Sequence, residues 1–266
     1  MIDLVVAGAA GRMGGRIIAL ARESADLRVV AALERPGHPA LGRDAGEVAG
    51  AGALGVPVAA EPAPALVRDR VLVEFTAPEA TLEHLRVAAA QGARAVIGTT
   101  GLGQAQLDEL RTLARRTAVV FSPNMSVGVN LAFRVLALMA RALGDDYDVE
   151  ITEIHHRMKK DAPSGTAARM AEVIAEALGR DLGEVGVYGR HGMVGERGPK
   201  EIGVHALRGG DVVGEHTVVF STLGERLELT HRAHSRDTFA RGALRAIRFV
   251  AGVQPGLYSM HDVLAL

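Results

Sequence analysis

An apolar run at residues 4–6 stops at Gly8-Ala9-Ala10-Gly11-Arg12-Met13-Gly14, and Met13, Ile17, Leu20 and Ala21 then recur at helical spacing. Strand, glycine turn and helix in that order leave few folds open. A continuously apolar strand must be covered on both faces, which calls for parallel neighbours and crossover helices. The chain supplies both. Residues 27–33, 71–75, 93–97 and 118–121 read as further apolar strands. Between them, Leu82, Leu85 and Ala89 mark a helix that stops at Gly92, and Leu107, Leu110 and Leu113 mark another. The segment 36–64 is rich in Ala, Gly and Pro and reads as loop plus a short helix.

After Asn124 the pattern changes. Residues 131–143 form a long helical stretch ending at Gly144, and 149–156 read as a strand. Ser164 is placed to cap a helix with an inner face of Ala167, Ala171, Ile174 and Leu178, ending at Gly179. Residues 202–207, 212–220 and 227–231 read as strands, the last two joined through Leu223-Gly224-Glu225-Arg226. Consecutive strands with short connections predict a mostly antiparallel sheet. The helical run 239–250 then returns to the first architecture. The expected class is α/β, with a Rossmann-like parallel-sheet domain at 1–126 and 236–266. An α+β domain for substrate binding and assembly is expected at 127–235.

In that frame the glycine turn has a chemical meaning. A helix N-terminus following a strand offers open N–H groups and partial positive charge to a pyrophosphate. The spacing here is G-x-x-G-x-x-G, and by itself an ordinary tight turn would explain it. Glu34 adds a second feature. It closes the second strand about twenty positions after Gly14, where an acid accepts bonds from a ribose. Arg35 follows and can pair with a 2′-phosphate, so both NADH and NADPH are expected cofactors. A solvated strand end is the plainer account of the Glu34-Arg35 pair alone. Two later turns, Gly98-Thr99-Thr100-Gly101 and Ser122-Pro123-Asn124-Met125, follow strands on the same expected edge. Ligands of open parallel sheets bind outside the carboxyl ends of the strands.

The densest chemistry lies at 153–167: Glu-Ile-His-His-Arg-Met-Lys-Lys-Asp-Ala-Pro-Ser-Gly-Thr-Ala. Neighbouring residues of a strand face opposite ways, so His155 and His156 make a poor shared metal pair, and no metal is expected. A histidine acid with a cationic partner fits better. Ser164-Gly165-Thr166 opens a helix whose N–H groups suit a carboxylate. Each feature taken singly has a structural explanation: a strand histidine, a solvated lysine run, a turn ahead of a capped helix. His191, His205, His216, His231 and His234 are assigned no role.

Charge and composition exclude other classes. With 30 basic and 31 acidic residues the net charge is -1, so no global field favours nucleic acid or an anionic membrane. No cysteine is present, which removes disulfides, thiolate metal sites and cysteine nucleophiles. No basic segment precedes the apolar start, and Arg12 and Arg16 interrupt it, unlike a signal peptide. No run reaches the roughly twenty uninterrupted apolar residues of a membrane span. A cytoplasmic protein without nucleic-acid or membrane partners is expected.

The sequence resembles the 4-hydroxy-tetrahydrodipicolinate reductase (dihydrodipicolinate reductase) family. The resemblance rests on GAAGRMG at 8–14, LER at 33–35, GTTG at 98–101, SPNMSVGVN at 122–130 and EIHHRMKKDAPSGTA at 153–167. GGDVVGEHTVVF at 209–220, GERLELTHRAHSR at 224–236 and GLYSMHDVL at 256–264 extend it over nearly the whole chain. It implies reduction of a small cyclic imine dicarboxylate by NADH or NADPH, with loss of water, in diaminopimelate and lysine biosynthesis. It implies His155 as proton donor and acceptor and Lys159 as a second proton donor, with His156, Gly165 and Thr166 binding substrate. Cofactor contacts fall by the same resemblance on Gly8, Ala9, Ala10, Gly11, Arg12, Met13, Glu34, Arg35, Gly98, Thr99, Thr100, Ser122, Pro123, Asn124 and Met125. Met125 stands where relatives often carry Phe, a difference that bears on cofactor preference. A homotetramer built through the second-domain sheet is also implied. Two other readings remain: a Rossmann reductase of another carbonyl or imine substrate, and a non-catalytic NAD(P)-sensing protein.

Overall fold

β1 (Ile2–Ala7) is buried along its last four residues, Leu4 to Ala7, and must therefore lie inside a sheet covered on both faces. The computed structural model describes all 266 residues. It divides into two compact units, Met1–Val127 with Asp237–Leu266, and Gly128–Arg236.

The first unit continues with α1 (Arg12–Arg22), β2 (Leu27–Leu33), α2 (Ala45–Val48), β3 (Val58–Ala59), β4 (Val71–Glu74), α3 (Pro78–Gln91), β5 (Arg94–Ile97), α4 (Gln104–Leu113) and β6 (Ala118–Phe121). α3 begins on Pro78 in its first turn and ends on Gly92 in the left-handed conformation, which a glycine adopts without strain. In the Ala/Gly/Pro-rich segment the Asp44 carboxylate accepts N–H bonds from Gly46, Glu47, Leu54, Gly55 and Val56. One side chain thus caps α2 and folds the loop back to make β3, a two-residue edge strand that composition alone does not indicate.

The second unit holds most of α5 (Val127–Leu143), then β7 (Asp148–His155), α6 (Gly165–Leu178), α7 (Leu182–Val185), β8 (Gly186–Val187), β9 (Ile202–Arg208), β10 (Gly214–Thr222) and β11 (Glu225–Ala233). The chain then re-enters the first unit as α8 (Asp237–Val250), β12 (Gly256–Tyr258) and α9 (Met260–Leu264).

The first sheet is parallel throughout, in the order β12-β6-β5-β4-β1-β2-β3. One face packs Ile17, Ile18 and Leu20 of α1 with Ala243, Leu244 and Ile247 of α8, and the other packs Leu82 and Leu85 of α3 with Leu110 of α4. Each buried leucine or isoleucine among them contributes about 1.5–3 kcal/mol. Arg16 and Asp237 tie α1 to α8 with an ion pair of 2.7 Å.

The second sheet runs β11-β10-β7-β9-β8. Its long β11–β10 and β10–β7 pairings are antiparallel, and β9 pairs in parallel with both β7 and β8. The β10–β11 turn is only Leu223-Gly224, with Glu225 and Arg226 already in the strand, and Gly224 supplies the positive φ of +92°. Residues Val127–Asp146 have the length and mean hydropathy (1.5) of a membrane span. Arg134 and Arg141 interrupt them, and Val129, Phe133 and Leu136 sit in the core beside Ile151, Met170 and Val218. This is a core helix.

Candidate active site

The glycine turn is built so that only glycine fits its closest points. A Cβ on Gly14 would lie 2.1 Å from the Gly8 carbonyl oxygen, and Gly8 itself holds φ +66° with Thr76 beside it. Gly11 is the N-cap of α1 and brings no side-chain cap. The first-turn N–H groups therefore have no side chain over them, and Ala10, Gly11 and Arg12 are exposed. This fits a pyrophosphate cradle. Ala9, expected to touch the cofactor, is fully buried and presents no surface to a ligand.

Glu34 stands at the end of β2 and accepts from the Ala10 N–H at 2.9 Å, while Arg35 beside it is exposed. The acid thus braces the glycine turn as well as facing outward. Gly98 follows β5 where a Cβ would strike the Phe75 ring at 2.0 Å. Thr99 is buried with its hydroxyl 2.7 Å from that of Thr81, leaving exposed Thr100 as the outward side chain of that turn. In the turn after β6, the Ser122 hydroxyl donates to the Asn124 carbonyl (2.7 Å), Pro123 is exposed and Met125 is buried. α8 comes down on this turn at Gly242, whose Cβ would lie 1.7 Å from the Met125 carbonyl oxygen. The Met125 side chain is therefore core.

In the second unit β7 ends at His155. His156 lies beyond it, and the Lys159 N–H closes a turn onto the His156 carbonyl at 3.0 Å. Strand alternation consequently does not set the direction of His156, contrary to the reading of 149–156 as one strand. His155 Nδ1 is 2.6 Å from Glu153 Oε2. Lys159 Nζ lies 2.8 Å from both oxygens of Asp161 and is mostly buried, whereas Lys160 is exposed. Ser164 caps α6, its Oγ accepting from the Ala167 N–H, and Gly165 and Thr166 form the first turn.

Three residues to which sequence reasoning gave no role join this cluster. Glu153 is fully buried and accepts from Arg208 at 2.8 and 2.9 Å and from the Ser164 N–H at 3.0 Å. His216, across from Glu153 in the register, sits 3.0 Å from Ser164 Oγ, with its ring 5.1 Å from that of His155. Burial pushes His216 down to about 4, with the neighbouring His155 adding to it. Burial opposes the charge on Glu153, but Arg208, His155 and the Ser164 N–H outweigh it and hold the carboxyl below its ordinary value. Burial likewise lowers His155. Glu153 raises it in part, and Lys159 and Arg208 lower it further. A signal for Glu153 existed in the sequence: it falls in phase with Val149 and Ile151, the buried face of β7.

Residues 2–125 match the family described as dihydrodipicolinate reductase, N-terminus, and residues 128–264 match its C-terminal counterpart. The chain belongs to the dihydrodipicolinate reductase family. It is 52% identical over 264 residues to the 4-hydroxy-tetrahydrodipicolinate reductase of Syntrophus aciditrophicus, covering 99% of this chain and 98% of that one. With the reductase of the same name from Geobacter sulfurreducens it shares 53% identity over 266 residues, covering both completely. Among solved structures, the dipicolinate-bound dihydrodipicolinate reductase from Paenisporosarcina sp. TG-14 superposes with a TM-score of 0.79 at 25% identity, covering 98% of each chain. GenD2 of gentamicin A biosynthesis, in complex with NAD, shares the fold at a TM-score of 0.62 and 14% identity, covering 99% of this chain and 90% of that one. Dihydrodipicolinate reductases are NAD(P)H-dependent oxidoreductases of diaminopimelate and lysine biosynthesis.

Proposed function

We infer that this chain reduces 4-hydroxy-tetrahydrodipicolinate to tetrahydrodipicolinate in the cytoplasm, consuming NADH or NADPH and a proton and releasing water. The observation that carries the reading is the reactive cluster: a histidine held by a buried acid, a lysine in the next turn, and a helix N-terminus opening on Gly165 and Thr166. NADH or NADPH, when bound, supplies the hydride. The chain's own residues do the rest. The α1 N-terminus holds the pyrophosphate, and Glu34 and Arg35 choose at the ribose. The turns at 98–100 and 122–125 bound the cofactor mainly through their backbone. Gly165, Thr166 and His156 hold the dicarboxylate. His155 donates the proton through Nε2, since Nδ1 faces the Glu153 carboxylate, and Lys159 offers positive charge to a carboxylate or a developing anion. Oxidation of NADH, followed optically with substrate generated by the preceding synthase, tests this reading. No turnover would leave the sensing protein, and turnover only of other carbonyl compounds would leave a different reductase.

Cofactor choice is expected to follow Glu34 and Arg35. Glu34→Ala removes the acceptor for a 2′-hydroxyl and loosens the turn at Ala10. It should weaken NADH about tenfold, as loss of a charged hydrogen bond of roughly 1.5–3 kcal/mol implies, and NADPH less. Arg35→Ala should do the reverse. Dissociation constants for both cofactors check this, and equal losses would remove the assignment.

The assembly we propose is a homotetramer joined through the second sheet. Supporting it, β11 is an edge strand with no neighbour on its far side, and Leu207 is 45% exposed on β9. Unpaired edges and exposed apolar side chains favour association. Light scattering at micromolar concentration should give the mass of four chains, and a monomer would refute it.

A further inference from the structure

Glu153 is a carboxylate with no exposure at all, yet every polar neighbour it has belongs to the reactive cluster. One oxygen meets His155 Nδ1 at 2.6 Å and Arg208 at 2.8 Å. The other accepts from Arg208 at 2.9 Å and from the Ser164 N–H at 3.0 Å. A buried acid serving the fold alone is usually replaceable by apolar packing. This one links the histidine to the cap of α6. An ionised carboxylate can only accept, so His155 Nδ1 must carry the hydrogen, and Nε2 is left as the nitrogen able to exchange a proton with a ligand. Nε2 is close to the backbone of Gly214, where a Cβ would lie 2.8 Å from it. The ring is thus held by an acid at one nitrogen and given room by a glycine at the other.

We propose that Glu153 is the positioning residue for the proton donor, fixing the His155 ring through Nδ1, with Arg208 as the counter-charge that limits its pull. This rests on His155 being the donor in the reaction inferred above. The charged and titratable groups facing His155 are Glu153 on its own strand, Lys159 with its partner Asp161 in the following turn, Arg208 on β9 and His216 on β10. His231 on β11 lies behind His216, ring centres 6.5 Å apart. Among these only Glu153 holds the imidazolium by a direct hydrogen bond. Arg208 opposes it twice, by its own charge and by sharing the carboxylate.

The two residues therefore have opposite signs, which a merely structural role would not produce. Removing Glu153's charge makes protonated His155 less stable, and removing Arg208's makes it more stable. The donor must be protonated to act, so activity falls as pH rises through its titration. In Glu153→Gln the basic limb of the kcat profile should move down by roughly one unit or more, the usual effect of an opposite charge at contact distance. On that limb kcat then drops about tenfold per unit, while the KM for NADH stays put. In Arg208→Gln the limb should move up, and Arg208→Lys should return it toward wild type.

The deciding measurement is an NMR titration of His155 in the full-length protein, wild type and each variant, with the kinetics alongside. It needs no turnover. Absence of reductase activity in the wild type would end the reading of function, whereas the titration judges Glu153 by itself. A His155 titration unmoved in both variants, or moved the same way in both, overturns the proposal. If Glu153→Gln fails to fold, the ring-nitrogen NMR shifts of wild-type His155 still decide it, because a neutral ring with its hydrogen on Nε2 would leave the carboxylate no hold on Nδ1.

Discussion

His155→Gln is expected to lower kcat by roughly 10²–10⁴-fold, the usual yield of a positioned general acid, and to leave the affinity for NADH as it was. Hydride delivery to the conjugated imine leaves excess electron density in the ring, and that density needs a proton. Within the cluster, His155 is the imidazole whose ring is fixed by a carboxylate. Burial, Lys159 and Arg208 pull it below its ordinary value in the free protein, with Glu153 pulling the other way. A bound dicarboxylate brings two negative charges and favours the protonated form. Proton readiness is thus coupled to substrate occupancy. Glutamine keeps the hydrogen-bonding shape and cannot titrate, so the loss in kcat should be largest at low pH, where wild-type His155 is protonated, and the basic limb due to His155 should vanish. Steady-state kinetics from about pH 5 to 9, a range that reaches below the ordinary histidine value because His155 is lowered, would check it. Near-normal turnover would show that the donor is elsewhere.

Lys159→Ala should lower kcat and also raise the substrate KM, with Lys160→Ala nearly silent. The two lysines are neighbours in sequence and differ in setting. Lys159 is mostly buried and its ammonium already grips a carboxylate, that of Asp161, at 2.8 Å. Lys160 is exposed. A charge shielded from water acts more strongly on a developing anion than one in bulk solvent. Losing a hydrogen bond to a charged group costs roughly 1.5–3 kcal/mol, so the combined fall in kcat/KM should be tenfold to a hundredfold. The reverse pattern, Lys160→Ala damaging and Lys159→Ala benign, would mean that the motif is engaged in another register.

The parallel architecture was legible because its cues are local: apolar strands, glycine stops and helical spacing recur within a few residues. The reactive motif was legible for the same reason, as His155, Lys159 and Ser164 lie within ten positions. Arg208 and His216 were not, since they reach Glu153 and Ser164 only through strand pairing set by the whole second sheet. Asp44 was hidden likewise, its role depending on N–H groups about ten residues downstream. The end of β7 was misjudged by one residue, a small slip that removes the alternation argument for His156.

The close approach of Gly242 to the Met125 carbonyl has a consequence for how the molecule is made. The first unit is completed by α8, which leaves the ribosome only after the whole of Gly128–Arg236. Until then Ile17, Ile18 and Leu20, which pack against α8 in the finished fold, lack their cover. The second unit is continuous and needs no later segment, so the expected order of folding is the reverse of the order of synthesis. Ribosome-stalled chains ending at Arg236, extended by an unstructured linker long enough to clear the exit tunnel, should show Gly128–Arg236 protected from protease and Met1–Val127 open to it, and the opposite pattern would contradict this. During synthesis the glycine turn is thus among the first parts made and among the last to acquire its final support.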